Sequence, residues 1–366
     1  MPRVLFVANH RLNRAPSQRF RFEQYLEHLR AEGIDCEFSP LLTADEDKTF
    51  YGRSNALLKA WVLARCAVRR TRDVRRAAEF DVVFIQREAF FGGSPVFERA
   101  FKRSGVRMVL DFDDSIWLLD VSDANRHYGW LKRPQKTAEI ARLADVVIAG
   151  NSFLLDYAKK YNSNAVLIPT TIDTVSYKRT IPRRSSGSIC IGWTGSPTTI
   201  RNFQCGVPAL AQMKARYGGR VHFRVIGDGS YRNDALGIKG EPWEALTEVE
   251  SLSDMDIGIM PLPDEDWSRG KCGLKGLQFM ALEVPVVMEN LGANKEIVTD
   301  GVDGLLASGT AEWVSKLSSL VDSVDLRERL AVAGRRTVEA RFSVESQRPA
   351  YVRLLRNLAD RHESRG

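Results

Sequence analysis

The chain has 366 residues, of which 44% are hydrophobic and 27% charged, and this length suffices for two domains that each bury a core. No stretch approaches the roughly 20 apolar residues that span a bilayer. The five cysteines (Cys36, Cys66, Cys190, Cys205, Cys272) show no CxxC spacing, so neither a disulfide framework nor a zinc site organises the fold. The net charge of +7 raises the possibility of nucleic-acid binding. The excess is concentrated between Arg53 and Arg76, however, without a zinc finger, helix-turn-helix or aromatic-interleaved RNA motif, and no nucleic-acid partner is expected.

In chain order, Val4-Leu-Phe-Val-Ala8 reads as a buried strand, too short in its apolar part for a signal peptide, so a cytoplasmic protein is expected. The polar loop Asn9 to Arg21 follows, and Gln18 to Ala31 reads as a helix with Phe20, Tyr25, Leu26 and Leu29 on its apolar positions. Next comes a basic amphipathic helix, with Leu57, Leu58, Trp61, Val62 and Leu63 preceding Arg65, Arg69, Arg70, Arg72, Arg75 and Arg76. Such a helix either lies on an anionic membrane surface or packs on a core in the ordinary way. Asp81–Ile85, Arg107–Leu110, Asp145–Ala149 and Val166–Ile168 are further short apolar strands. Short apolar runs separated by helix-length segments imply a parallel sheet covered on both faces, with ligands beyond the carboxyl ends of the strands.

Residues 1–170 therefore form one doubly wound α/β domain, and the polar, proline-containing segment 171–188 reads as a linker. The pattern restarts in residues 189–343 with strands at Ile189–Trp193, Val221–Ile226, Met255–Met260 and Val284–Val287, and a helix from about Ile200 to Tyr217. The last helix, 344–366, can pack on either domain, the first included. Three loops at strand ends in the second domain draw attention. One carries Gly195 and Ser196 with Arg201 beyond them, one carries Gly227, and one is Trp267-Ser-Arg-Gly-Lys-Cys-Gly-Leu-Lys275, which opens a helix. Glycine after a strand is ordinary turn chemistry, and a Lys/Gly cluster can be a solvated turn. Together with Arg269, Lys271 and Lys275, however, the loops describe a pocket for a diphosphate carrying a ribose or base.

The continuation Leu274-Lys-Gly-Leu-Gln-Phe-Met-Ala-Leu-Glu-Val-Pro-Val-Val287 resembles the (K)xxEYMAxGxPVV signature of the retaining family 4 glycosyltransferases of the GT-B fold. Gly292–Val298, Asp300–Leu306, Asp145–Ser152 and Ile168–Asp173 are similar to further segments of that family. The resemblance implies two Rossmann-like domains facing a central cleft, a nucleotide-sugar donor (UDP- or GDP-sugar), retention of configuration and no obligatory metal or cofactor. It places the diphosphate with Lys271, Lys275 and Arg201, helped by Gly195, Ser196 and Gly227, and the ribose hydroxyls with Gln278. Lys271 would also act catalytically by stabilising the leaving group.

The family's paired glutamates are replaced in this chain by Gly270 and Gln278. In the first domain Asp111-Phe-Asp-Asp114 resembles a metal-binding DxD, although Asp113 and Asp114 are expected to contact donor or acceptor hydroxyls or to cap a helix. His127 is a further catalytic candidate, and Ser17, Arg19, Arg21 and Glu88 are candidates for an anionic acceptor, a glycan or a lipid-linked group. The basic helix favours an acceptor at the inner membrane face, as in cell-surface polysaccharide or glycolipid synthesis. A nucleotide-sugar epimerase on the same fold, or a degenerate nucleotide-sugar-binding partner protein, remain as alternatives.

Overall fold

A computed structural model of the chain describes residues 1–118, 133, 135–182 and 187–363. Two compact units emerge, one comprising Met1–Thr170 with Gln347–Gly366 and the other Thr171–Ser346. Among the described residues no helix is long and apolar enough to cross a membrane.

The first unit is built on β1 (Arg3–Ala8), β2 (Asp35–Pro40), β3 (Val82–Gln86), β4 (Arg107–Phe112), β5 (Val146–Ala149) and β6 (Ala165–Leu167). They form one parallel sheet in the order β2-β1-β3-β4-β5-β6. The apolar runs of β1, β3 and β4 occupy its middle, where residues such as Val4, Phe84 and Val109 are inaccessible to water, as a strand covered on both faces requires. The edge strand β2 has no apolar run. Only Cys36 and Ser39 are buried in it and it ends at Pro40, so periodicity alone did not announce it.

The segment expected to form one helix from Gln18 to Ala31 is broken into a helix at Pro16–Arg19, a 3₁₀ turn at Glu23–Tyr25 and a helix at Leu26–Ala31. Two buried polar side chains account for the break. The Gln18 amide accepts from the His10 N–H and donates to the His10 carbonyl, both at 2.9 Å, and Arg21 turns into the core. The terminal helix Val344–Glu363 delivers Tyr351 to the same place. Its ring lies 4.4 Å from that of Tyr25, and its hydroxyl donates to the Arg21 carbonyl at 3.0 Å.

The basic helix Ala56–Arg75 is capped by Asn55, whose side chain accepts from the Leu58 N–H. Its buried face is Val62, Cys66, Arg70 and Asp73, so one arginine lies fully inside. The Arg70 guanidinium donates to the Ala89 carbonyl at 2.8 Å and to Asp73 at 2.6 Å. Arg65 and Arg69 pair with Glu46, and Arg76 with Glu37. Leu57, Leu58 and Trp61 are exposed instead. The sequence pattern of apolar residues inward and arginines outward is thus partly reversed.

The second unit contains β7 (Ile189–Thr194), β8 (Val221–Ile226), the antiparallel pair β9 (Arg232–Asn233) and β10 (Ile238–Lys239), then β11 (Ile257–Met260), β12 (Val286–Glu289) and β13 (Leu305–Ala307). Its parallel sheet runs β13-β12-β11-β7-β8, with β7 and β11 central. Trp193, Phe203, Leu210, Met213, Leu317 and Leu320 fill one side of it. The segment read as a linker starts inside this unit. Ile172 bridges to Ser343, and Tyr177 is buried.

Candidate functional site

In the second unit the loops following β7 and β8 are locked together. The Gly195 N–H donates to the Ile226 carbonyl at 2.9 Å, and the Gly227 N–H to the Glu241 carbonyl at 2.8 Å. Gly227 has φ +119°, and a Cβ there would stand 1.5 Å from the Gly195 carbonyl oxygen. Only glycine allows this approach. A Cβ on Gly195 would lie 2.3 Å from the Trp193 ring, so that ring is the floor under the loop. Lys275 Nζ lies 5.5 Å from the centroid of the same ring, and Trp193 thereby joins the β7 loop to the helix Leu274–Ala281. That helix starts from Gly273 at φ +69° and has no side-chain cap, which leaves its positive end available to an anion.

The other expected diphosphate residues are placed differently. Lys271 Nζ stands 5.7 Å from the Trp267 ring centroid, and Arg269 pairs with Asp264 at 2.5 Å. Arg201 faces Glu265 at 3.7 Å across an exposed surface, and the Ser196 hydroxyl joins Thr198 and Thr199 in capping the turn Pro197–Thr199. The main-chain N–H groups of Gly195 and Ser196 are both engaged within the protein, the latter with the Thr199 hydroxyl at 3.0 Å. These hydrogen bonds shape the loop.

Gln278 is 4% exposed and sits in a polar network. Its Nε2 donates to Glu248 Oε1 at 3.0 Å and to the Tyr177 hydroxyl at 3.2 Å. That hydroxyl donates to Glu248 Oε2 at 2.6 Å, and Trp243 Nε1 donates to Glu248 Oε1 at 2.9 Å. Trp243 and Glu248 also line a small cavity beyond the ends of β7 and β8, together with Thr194, Ile226 and Glu241.

In the first unit Arg21 and Asp111 form a fully buried pair. Arg21 donates to the two carboxylate oxygens at 2.5 and 3.2 Å and to the Ile168 carbonyl at 2.7 Å. Burial pushes the Asp111 carboxyl above its ordinary range, while the guanidinium pulls it back. With no exposed surface, Arg21 is a core residue and leaves the set of acceptor ligands. Arg87, at the end of β3, adopts φ +63°, a left-handed conformation uncommon for a residue with a Cβ. It donates to Asp113 at 2.8 and 2.9 Å and lies 3.7 Å from Asp114, so an arginine occupies the place where a DxD reading would put a cation. Among the described residues no group of three His, Cys, Asp or Glu side chains could hold a metal ion.

Glu88 accepts from Lys136 Nζ at 2.9 Å. Ser17 lies on the helix Pro16–Arg19, where its carbonyl accepts from Gln86, and the Arg19 guanidinium covers the Phe20 ring at 4.9 Å. His127 lies outside the described residues. The loop after β1 adds a group that composition did not reveal. Asn9 Oδ1, His10 Nδ1, Arg11 Nε and Asp47 Oδ1 are buried without a hydrogen-bond partner in the structure. Burial pushes the His10 imidazole down to about 4, against the pull of Asp47, so it is neutral at pH 7.

Residues 189–323 match the family described as glycosyl transferases group 1. The match lies within the second unit. The glycosyltransferase fold extends over both units. Sucrose-phosphate synthase from Thermosynechococcus elongatus superimposes with a TM-score of 0.71 at 13% identity, covering 98% of this chain and 99% of the other. HepE from Anabaena, solved in complex with UDP-glucose, gives 0.66 at 14% identity over 100% of both chains. Trehalose 6-phosphate synthase from Burkholderia multivorans gives 0.65 at 13% identity over 100% of this chain and 98% of that one. The chain thus has the two parallel sheets of the GT-B fold, and its second unit carries the match to glycosyl transferases group 1.

Sequence reasoning missed Glu248, Tyr177 and Trp243. Tyr177 lies in what reads as a linker, and Glu248 is one acidic residue among several between Glu241 and Glu250. Their separations of 101 and 30 residues from Gln278 carry no periodic signal. Only the Trp243 indole, an aromatic beside strand-end glycines, offered a cue.

Proposed function

We propose that this glycosyltransferase binds a nucleotide-sugar in its second unit and transfers the sugar, with retention of configuration, to a glycan or lipid-linked acceptor recognised by its first unit. Cell-surface polysaccharide or glycolipid synthesis on the cytoplasmic side of a membrane fits this reading. The observation that carries it is the join of the Gly195 and Gly227 loops to Lys275 through Trp193, which sets a cation and an uncapped helix start beside the tightly packed glycine loops after β7 and β8. A leaving nucleoside diphosphate needs such an environment, because stabilising its charge lowers the barrier. HepE, of the same fold, was solved with UDP-glucose, which supports UDP-glucose as the first donor to test.

Lys275 and the start of its helix would take the diphosphate, Lys271 would assist, and Gln278 would take the ribose. On the acceptor side, the partnerless polar atoms of Asn9, His10, Arg11 and Asp47 favour a hydroxyl-bearing or phosphorylated ligand at the β1 loop. Exposed Leu57, Leu58 and Trp61, with Arg72 and Arg75 further along the helix, support contact with an anionic membrane. Calorimetric titration with UDP-, GDP-, ADP- and dTDP-sugars tests the donor. One of them is expected to bind, with Lys275→Ala losing about tenfold or more, the worth of one charge-assisted hydrogen bond. Unchanged affinity in Lys275→Ala would remove the phosphate assignment.

A further inference from the structure

A glutamine has replaced a carboxylate at position 278, and its two ends have opposite chemistry, so the orientation of its amide decides what it can recognise. Both Nε2 hydrogens are spent inward, one on Glu248 Oε1 at 3.0 Å and one on the Tyr177 oxygen at 3.2 Å. The reversed amide would set Oε1 against two acceptors. Glu248 already accepts through both oxygens, from Trp243 at Oε1 and from Tyr177 at Oε2, and the single Tyr177 proton is given to the latter at 2.6 Å. Trp243 Nε1 donates at 2.9 Å to the same Oε1 that accepts from Gln278. Glu248, Tyr177 and Gln278 are each at most 6% exposed, so water cannot readily relieve a mismatched contact.

We propose that Glu248 is a positioning residue for donor recognition. It fixes Gln278 so that Oε1 alone faces the ligand, as an acceptor for a ribose hydroxyl. The carboxylate missing at position 278 is thereby supplied one residue further back, and the ligand meets the same acceptor chemistry without a charge in contact with it. This inference rests on the nucleotide-sugar reading of the second unit. It accounts for the conjunction of a buried acid, a buried glutamine and two aromatic donors in one network beside the β7 and β8 strand ends.

The test compares two variants at position 248 with one at 278. Glu248→Leu removes the acceptor and leaves the Gln278 amide free to reverse, whereas Glu248→Gln can keep an amide oxygen against both Trp243 and Gln278. Gln278→Glu sets two carboxylates about 3.0 Å apart. Affinities for UDP and GDP, and for the 2′,3′-dideoxy form of whichever binds the wild type, are measured by calorimetry, and thermal unfolding is recorded at pH 6 and pH 8.

The wild type is expected to prefer the hydroxylated nucleotide by about tenfold or more. E248L should lose most of that preference, and E248Q should keep it. Q278E should bind poorly and unfold earlier at pH 8, and recover as pH falls and one carboxyl takes up a proton. A variant E248L that melts earlier yet keeps the full preference overturns the positioning role. A wild type that binds UDP or GDP without regard to the ribose hydroxyls overturns this inference and leaves the donor reading standing. A wild type that binds no nucleoside diphosphate overturns both.

Discussion

Replacing Arg21 with methionine separates a structural from an acceptor-binding role for this fully buried cation. Methionine keeps most of the side-chain volume but removes three donated hydrogen bonds, two to Asp111 and one to the Ile168 carbonyl. Breaking a buried ion pair by deleting one partner costs about 3–5 kcal/mol, because the remaining charge is left uncompensated. Asp111 has no exposed surface through which water could compensate, so protonation of its carboxyl is the only relief. Hydrogen exchange of the β1 and β4 amides reads this cost directly. In exchange governed by opening, the loss corresponds to acceleration of roughly a hundredfold or more, since 1.4 kcal/mol is a factor of ten. The double variant R21M/D111L replaces the pair by apolar groups and should return to within about 1–2 kcal/mol of the wild type. If Arg21→Met instead kept full amide protection and lost only acceptor turnover, the assignment of Arg21 to the core would be wrong.

Three further outcomes follow from the same geometry. His10 is pushed down to about 4 by burial, so between pH 6.5 and pH 4 the unfolded chain takes up a proton that the folded state refuses; stability should fall by about 2 kcal/mol from pH 7.5 to pH 5. Urea unfolding of His10→Gln should lack that part of the slope, and an identical slope would refute it. Gly227→Ala forces a Cβ onto the Gly195 oxygen at φ +119°, so it should destabilise the second unit by about 1–3 kcal/mol and weaken nucleotide binding, both measurable in one thermal-shift titration. The pair Leu57→Ser with Trp61→Glu alters exposed residues, so melting should be unchanged. Co-sedimentation with anionic vesicles should drop about tenfold or more, because each inserted apolar side chain contributes about 1.5–3 kcal/mol, and an unchanged partition would exclude this helix from the membrane contact.

The apolar runs of β1, β3 and β4 and the restart of the pattern at Ile189 were legible because a strand buried on both faces must be apolar throughout, and that requirement is local. The Lys275 to Val287 stretch was legible for a similar reason: a glycine, a cation and an apolar helix leading into a strand describe one loop and its neighbours. The polar edge strand β2 and the broken helix near Gln18 were not, since each depends on side chains paired across long stretches of chain.

The fold class, the order of the strands along the chain and the candidate cations at the donor loops were set by the sequence. Which polar groups face a ligand was decided only in three dimensions. Arg21 and Arg70 look in sequence like any other arginine of a basic protein, and folding buries both against carboxylates and carbonyl groups. Gln278 looks like a defective glutamate until Glu248 and Tyr177 are seen behind it. Hydrophobic burial follows a short-range pattern that a linear reading can detect. The pairing of buried charges and hydrogen bonds depends on which distant residues arrive within about 3 Å, and only the tertiary fold determines that.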